Sequence, residues 1–118
     1  MSKGSHLGDL EELVLLAVLR FGDEADGRSV REALRDAAAR NVSVSTVYVT
    51  LMRLEEKGYA RSWKGEPSGE RGGKARRLYE VSPEGREALE RVRAVRERMW
   101  RSAEAGEDEP RAGARARA

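Results

Sequence analysis

Apolar residues recur at helical spacing from Leu7 to Phe21, with Leu10, Leu13, Val14, Ala17 and Phe21 on one face. That period predicts a first helix over 7–21. Leu15, Leu16, Val18 and Leu19 carry the apolar surface further around the cylinder. So apolar a helix must be covered on more than one side, and in a chain this short the second cover falls to another subunit. Gly22 follows as its C-cap. A second helix is expected over 27–40, capped by Asp26, with Val30, Ala33, Leu34, Ala37 and Ala38 facing inward. After only Arg40-Asn41-Val42, Ser43 is placed to cap a third helix by reaching the amide of Thr46, and Gly58 ends that helix after Lys57.

On the third helix the inner stripe reads as Val44, Val47, Tyr48, Leu51 and Leu54. The outer stripe reads as Ser45, Thr46, Val49, Thr50, Arg53 and Lys57, a face of small hydroxyls, one valine and two cations without an acid. Glu55 and Glu56 fall off that face. Two short alternating segments, 59–64 and 76–81, flank a turn-rich stretch at 65–74, the pattern of a hairpin with a long tip. Ser82 and Pro83 then open a last helix, expected to reach Glu104. Its seam is narrow: Leu89, Val92, then Val95 or Arg96, Met99 and Ala103, with Trp100 beside it. Glu87–Arg91 and Glu97–Arg101 are spaced as favourable i, i+4 pairs. A narrow seam on a long polar helix suggests helix–helix contact between subunits. Residues 1–6 and 106–118 lack apolar bulk and are expected to be disordered.

Composition narrows the function. The chain has 118 residues, 39% apolar and 37% charged, which suits one domain with a thin core and little room for a large internal cavity. With no cysteine and a single histidine, His6, it offers no thiol nucleophile, no Cys-based metal site and no Ser-His-Asp triad. No acid pair or nucleophile–base set stands out, so an enzyme is not expected, nor a catalytic residue, a metal or a cofactor. No apolar run approaches the roughly 18 residues of a membrane helix, and no leader pattern is seen, so a cytoplasmic protein without a membrane partner is expected. The net charge is only +2, but residues 61–77 carry six cations against two acids, leaving the rest of the chain slightly acidic. A local basic patch of that kind fits a phosphate backbone.

Helix, helix, short turn, helix and basic hairpin is the order of a winged helix-turn-helix. The expected fold is therefore mainly α with a small β-hairpin wing: a winged helix-turn-helix over 7–81 plus a C-terminal dimerisation helix over 82–105. A major groove about 12 Å wide admits one helix, whose N-terminal part reaches base edges. Ser45, Thr46, Val49 and Thr50 sit there, while Arg53 and Lys57 lie further along, toward phosphate. Arg71, Lys74 and Arg76 belong to the hairpin, and Gly72 and Gly73 let its tip approach the backbone closely. Tyr48 reads either as a core aromatic with its hydroxyl at the surface or as a phosphate donor. A protein-interaction module without nucleic acid is the alternative, but it needs an apolar patch on the third helix's outer face, where this reading finds Val49 alone.

Several stretches together resemble the PadR family of transcriptional regulators. They are Leu7 to Ala17, Ser43-Val44-Ser45-Thr46-Val47-Tyr48, Leu51 to Tyr59, Glu70 to Tyr79 and Val81-Ser82-Pro83-Glu84-Gly85. The resemblance spans about residues 7–100. It implies a homodimeric repressor on double-stranded DNA, with the first and last helices building the dimer, and it corresponds to the compact subgroup with a single dimerising helix. Leu10, Leu13, Leu16, Leu89, Val92, Met99 and Trp100 are then the expected dimer contacts. It also implies phosphate contacts by Tyr48 and by the wing from Gly72 to Arg76. Some small members of the family bind flat aromatic compounds between tryptophans of the last helix, so Trp100 has two readings: packing in the dimer, or a site for a small aromatic effector. The chain departs from the family at Asp26, where an aromatic is common, and at Val49-Thr50, where Pro-Ala is common.

Overall fold

Helix α1 (Asp9–Phe21) starts two residues later than the apolar period suggests, because Gly8 is its N-cap. Acids fill its first turn and Arg20 its last, matching the helix dipole. Gly22 closes it at φ 62°, in the left-handed region, and returns its N–H to the carbonyl of Leu19. The structure, a computed structural model, describes residues 6–67 and 75–108. The expectations for residues 1–5, for 68–74 of the hairpin tip and for 109–118 lie outside the described residues, while 65–67, expected in that tip, extend the first strand of the hairpin.

Helix α2 (Gly27–Ala38) is capped as expected: Asp26 Oδ1 accepts from the Ser29 amide at 2.8 Å, and Ser29 Oγ accepts from the Asp26 amide at 3.0 Å. It ends before Arg40 because Ala39 turns left-handed at φ 55° and sends its amide back to Leu34 O. Arg31 Nε donates to Val42 O at 3.0 Å and so pins the connection to α3 (Val44–Glu56). Ser43 Oγ accepts from the Thr46 amide at 3.0 Å. Strands β1 (Ala60–Pro67) and β2 (Ala75–Val81) pair antiparallel, with Ser62 opposite Tyr79 and Trp63 opposite Leu78. The Tyr79 amide donates to Ala25 O at 2.9 Å, which hooks the hairpin onto the segment before α2.

Helix α4 (Pro83–Asp108) begins where Ser82 Oγ accepts from the Gly85 amide at 3.0 Å. It runs for 26 residues, so positions 106–108, expected in the tail, are helical. Neither expected pair forms on it; Arg86–Glu90 and Arg93–Glu97 form instead, at 3.0 and 3.2 Å, so Glu97 is held from the preceding turn. No helix among the described residues is long and apolar enough to cross a membrane.

The core gathers Val14, Leu15 and Val18 of α1, Val30 and Leu34 of α2, and Val47, Leu51 and Leu54 of α3, all fully buried. Each such side chain contributes about 1.5–3 kcal/mol relative to exposure. α1 lies in the middle, touching α2, α3, β2 and the start of α4. α4 joins this core through Ala88 and Leu89, with Val92 packed against it.

Candidate nucleic-acid interface

The packing of α3 decides which of its side chains are available. Val47, Thr50, Leu51 and Leu54 point into the core. The open side is therefore Val44, Ser45, Tyr48, Val49, Met52 and Arg53, followed by Glu56. Relative to the face expected from the sequence, it is rotated by one residue, about 100°. Ser45, Val49 and Arg53 are on the open side as expected. Thr46 is half-buried, its hydroxyl accepting from Ser43 Oγ at 2.9 Å within the cap.

Two expected contacts are corrected. Thr50 is only 4% exposed, and its hydroxyl donates to Thr46 O at 2.8 Å, so it packs as a core residue rather than facing a base. Lys57 leaves the outer face altogether. Its Nζ lies 2.6 Å from Glu11 Oε1 and also donates to His6 O, tying the end of α3 to the start of α1. Glu11 Oε1 accepts from the Gly8 amide as well, at 2.8 Å. Burial alone raises the Glu11 pKa, but the Lys57 hydrogen bond, the Gly8 amide and the charges of Lys57 and Arg53 outweigh it and hold it below the ordinary carboxylate value.

Tyr48 is neither a core aromatic nor a free surface ring. A Cβ built on Gly27 would sit 2.5 Å from its Cζ and Oη, so the ring lies directly against the glycine that opens α2. Gly27 is buried while the phenol ring stays open on its other side. This glycine thus sets where the Tyr48 hydroxyl stands beside the helix-turn-helix.

The basic patch is partly neutralised by acids that a linear reading does not bring to it. Arg76 lies 3.5 Å from Asp26 and 3.7 Å from Glu24, at the foot of α2. Arg61 pairs with Glu80 at 3.0 Å, and Arg77 donates to Ser62 Oγ at 2.9 Å, which in turn donates to Glu55 on α3. Lys64 and Arg53 make no ion pair among the described residues and are exposed. Arg71, Gly72, Gly73 and Lys74 lie outside the described residues. Sequence reasoning missed Val44 and Met52 on the open face; a tyrosine one turn from Val44 on an apparently apolar stripe masked them.

The expected dimer residues divide. Leu89 is buried within its own chain, and Leu10, Leu13 and Val92 are partly buried against the same core. Leu16, Val95, Met99 and Trp100 are exposed, Trp100 at 68%. Leu16, Leu19, Leu89 and Trp100 line a groove of about 370 Å³ between α1 and α4, with Arg93 and Glu97 also at its wall. Across it Arg96 of α4 reaches Glu12 of α1 at 2.7 Å.

Residues 15–91 match the Transcriptional regulator PadR-like family. None of the curated proteins matches the chain. Among solved structures, a PadR family transcriptional regulator from Eggerthella lenta is 25% identical, with 86% of this chain and 88% of that one covered and a TM-score of 0.63. A PadR-like transcriptional regulator from Bacillus cereus is 18% identical, with 86% and 93% covered and a TM-score of 0.67. PadR of Bacillus subtilis in complex with operator DNA is 16% identical, with 74% of this chain and 48% of that one covered and a TM-score of 0.62. These likenesses establish a winged helix fold.

Proposed function

The chain belongs to the PadR-like family of transcriptional regulators, and from that premise we propose that it is a homodimeric repressor that seats α3 of each protomer in the major groove of a palindromic operator. The observation that carries this reading is the open side of α3, which shows no acid from Val44 to Arg53. Ser45 and Val49 lie in the part of the helix that reaches base edges, and Arg53 sits further along, toward the strand. Tyr48, held over Gly27, presents its hydroxyl to phosphate. Arg71 and Lys74 of the wing tip supply further cations. The dimer forms through exposed Leu16, Met99 and Trp100, and its half-sites lie about 34–36 Å apart, one helical turn. The protein acts in the cytoplasm, without a cofactor or catalysis of its own.

The test is enrichment of binding duplexes from a random double-stranded pool, followed by titration against salt. With about 6–10 phosphates contacted, affinity falls roughly 10³–10⁵-fold between 50 and 200 mM salt. Arg71→Ala with Lys74→Ala flattens that slope by about 0.9 for each phosphate no longer neutralised. An unchanged slope removes the wing from the interface. A second reading has a specific observation behind it: Val44, Val49 and Met52 make the outer face more apolar than the sequence suggests, as a protein-binding module requires. That module shows no duplex binding even at low salt.

A further inference from the structure

The first two turns of α3 expose an unusual set of groups for a helix that enters a major groove. Their open positions are Val44, Ser45, Tyr48 and Val49. None carries the fork of donors by which arginine reads guanine, or the paired donor and acceptor by which asparagine or glutamine reads adenine. Tyr48 is held over Gly27, at the edge of the face. What remains toward the groove floor is one hydroxyl between two β-branched side chains that stay 46% and 44% exposed. A valine has few rotamers to lose on contact, so it suits a fixed apolar reader.

Among the groups by which base pairs differ in the major groove, the thymine C5-methyl is the apolar one. A valine pressed against guanine O6 and N7, or the cytosine amino group, strips water from that group and returns no hydrogen bond. Against a thymine methyl the same contact buries two apolar surfaces. The charge distribution argues for duplex over protein: the apolar groups are followed on the same side by Arg53, in no ion pair among the described residues, and Glu56 comes only at the helix end.

We infer that Val44 and Val49 are specificity-determining residues that read thymine methyl groups, so the operator half-site carries thymines under the start of α3 and rejects G·C there. The inference rests on the groove-binding role proposed above for α3. Ser45, between them, bonds to whichever donor or acceptor adjoins the methyls.

The test uses the full chain and duplexes enriched from a random pool, each prepared once with thymine and once with uracil, which differs by that methyl alone. Wild type should lose about fourfold in affinity per contacted methyl, hence about 16-fold per half-site with one methyl under each valine and roughly 250-fold over the two half-sites. Val49→Ala and Val44→Ala should each bind thymine duplex more weakly, and together they should no longer distinguish thymine from uracil. Both side chains are exposed, so the variants keep the fold, which thermal melting verifies. Equal binding of the two duplexes by wild type overturns the inference, as does full discrimination by the double variant. Absence of any salt-dependent duplex binding is a different failure: it removes the groove-binding role itself and favours a protein partner for this face.

Discussion

Replacing Lys57 separates a structural cation from a DNA-binding one. In Lys57→Met, Glu11 keeps the Gly8 amide but loses its only ion-pair partner among the described residues. Removing one member of a fully buried pair costs about 3–5 kcal/mol. Here the side chains of Lys57 and Glu11 retain 18% and 11% of their exposure, so water screens part of the charge. The cost therefore falls below that range, to about 2–3 kcal/mol, or a fall of roughly 1–2 M in the urea midpoint for a domain of this size. Glu11→Gln with Lys57→Met should recover part of that loss, since no charge is then stranded. The carboxyl of Glu11 is held below its ordinary value of 4.5. Its stabilisation is therefore complete above pH about 4.5 and drains as the pH falls through the lower folded-state value. Glu11→Gln should flatten that acid limb of the stability curve. Operator binding by folded Lys57→Met should keep the wild-type salt slope, whereas Arg53→Ala should lower it. Wild-type stability in Lys57→Met, joined to a flattened salt slope, would refute this assignment.

Three further outcomes follow from the packing, and a fourth from the exposed end of α4. Gly27→Ala drives a methyl into the Tyr48 phenol ring and should destabilise by about 1–3 kcal/mol, the usual cost of overpacking, with Tyr48→Ala restoring stability to Gly27→Ala in thermal melts. Gly85→Ala should be worse, because its Cβ would lie 2.1 Å from the backbone oxygen of Tyr59, which cannot swing aside; a soluble, wild-type-like variant would contradict that contact. Thr50→Val removes one hydrogen bond within its own helix, so it should change stability by about 0.5–1.5 kcal/mol and leave sequence preference intact; an altered preference in pool enrichment would put Thr50 back on the outer face. In Trp63→Phe protein, Trp100 emission should shift blue as concentration rises through dimer formation, and Met99→Ala should move that transition to higher concentration; quenching by added planar aromatics would favour the effector reading of the α1–α4 groove.

Features set by neighbouring residues were legible in the sequence. The caps at Asp26, Ser43 and Ser82 and the stops at Gly22 and Gly58 depend on contacts within a few positions, and the structure places them as expected. The face of α3 was less legible because two residues behave against type. Thr50 looks polar, but its hydroxyl is satisfied by the carbonyl one turn back, so the rest of the side chain packs like a valine. Tyr48 looks like core, but its partner is a residue with no side chain, 21 positions earlier, and a ring seated on Gly27 stays at the rim. Pairings over long separation left no local trace: Glu11 with Lys57, and Arg76 with Asp26 and Glu24. Each of these drew off a cation that the sequence alone assigned to DNA.

Those same long-range contacts explain how so thin a core can present a reading surface. Val47, Thr50, Leu51 and Leu54 fix the rotation of α3 about its axis. The Lys57–Glu11 bridge anchors its far end to α1, Arg31 secures the turn before it, and Tyr48 on Gly27 fixes its spacing from α2. Arg76 and the Ala25–Tyr79 bridge bind the hairpin to the same foot of α2. The groups left over on the open side are thus held by a shell of which Tyr48 alone is proposed to touch the DNA. Pre-organisation of that kind matters most for apolar contacts, which have no directional bond to draw a misplaced helix into register. A helix reading thymine methyls must arrive already aimed, so loosening Lys57 or Gly27 should erode discrimination between thymine and uracil before it erodes salt-dependent attraction to the duplex.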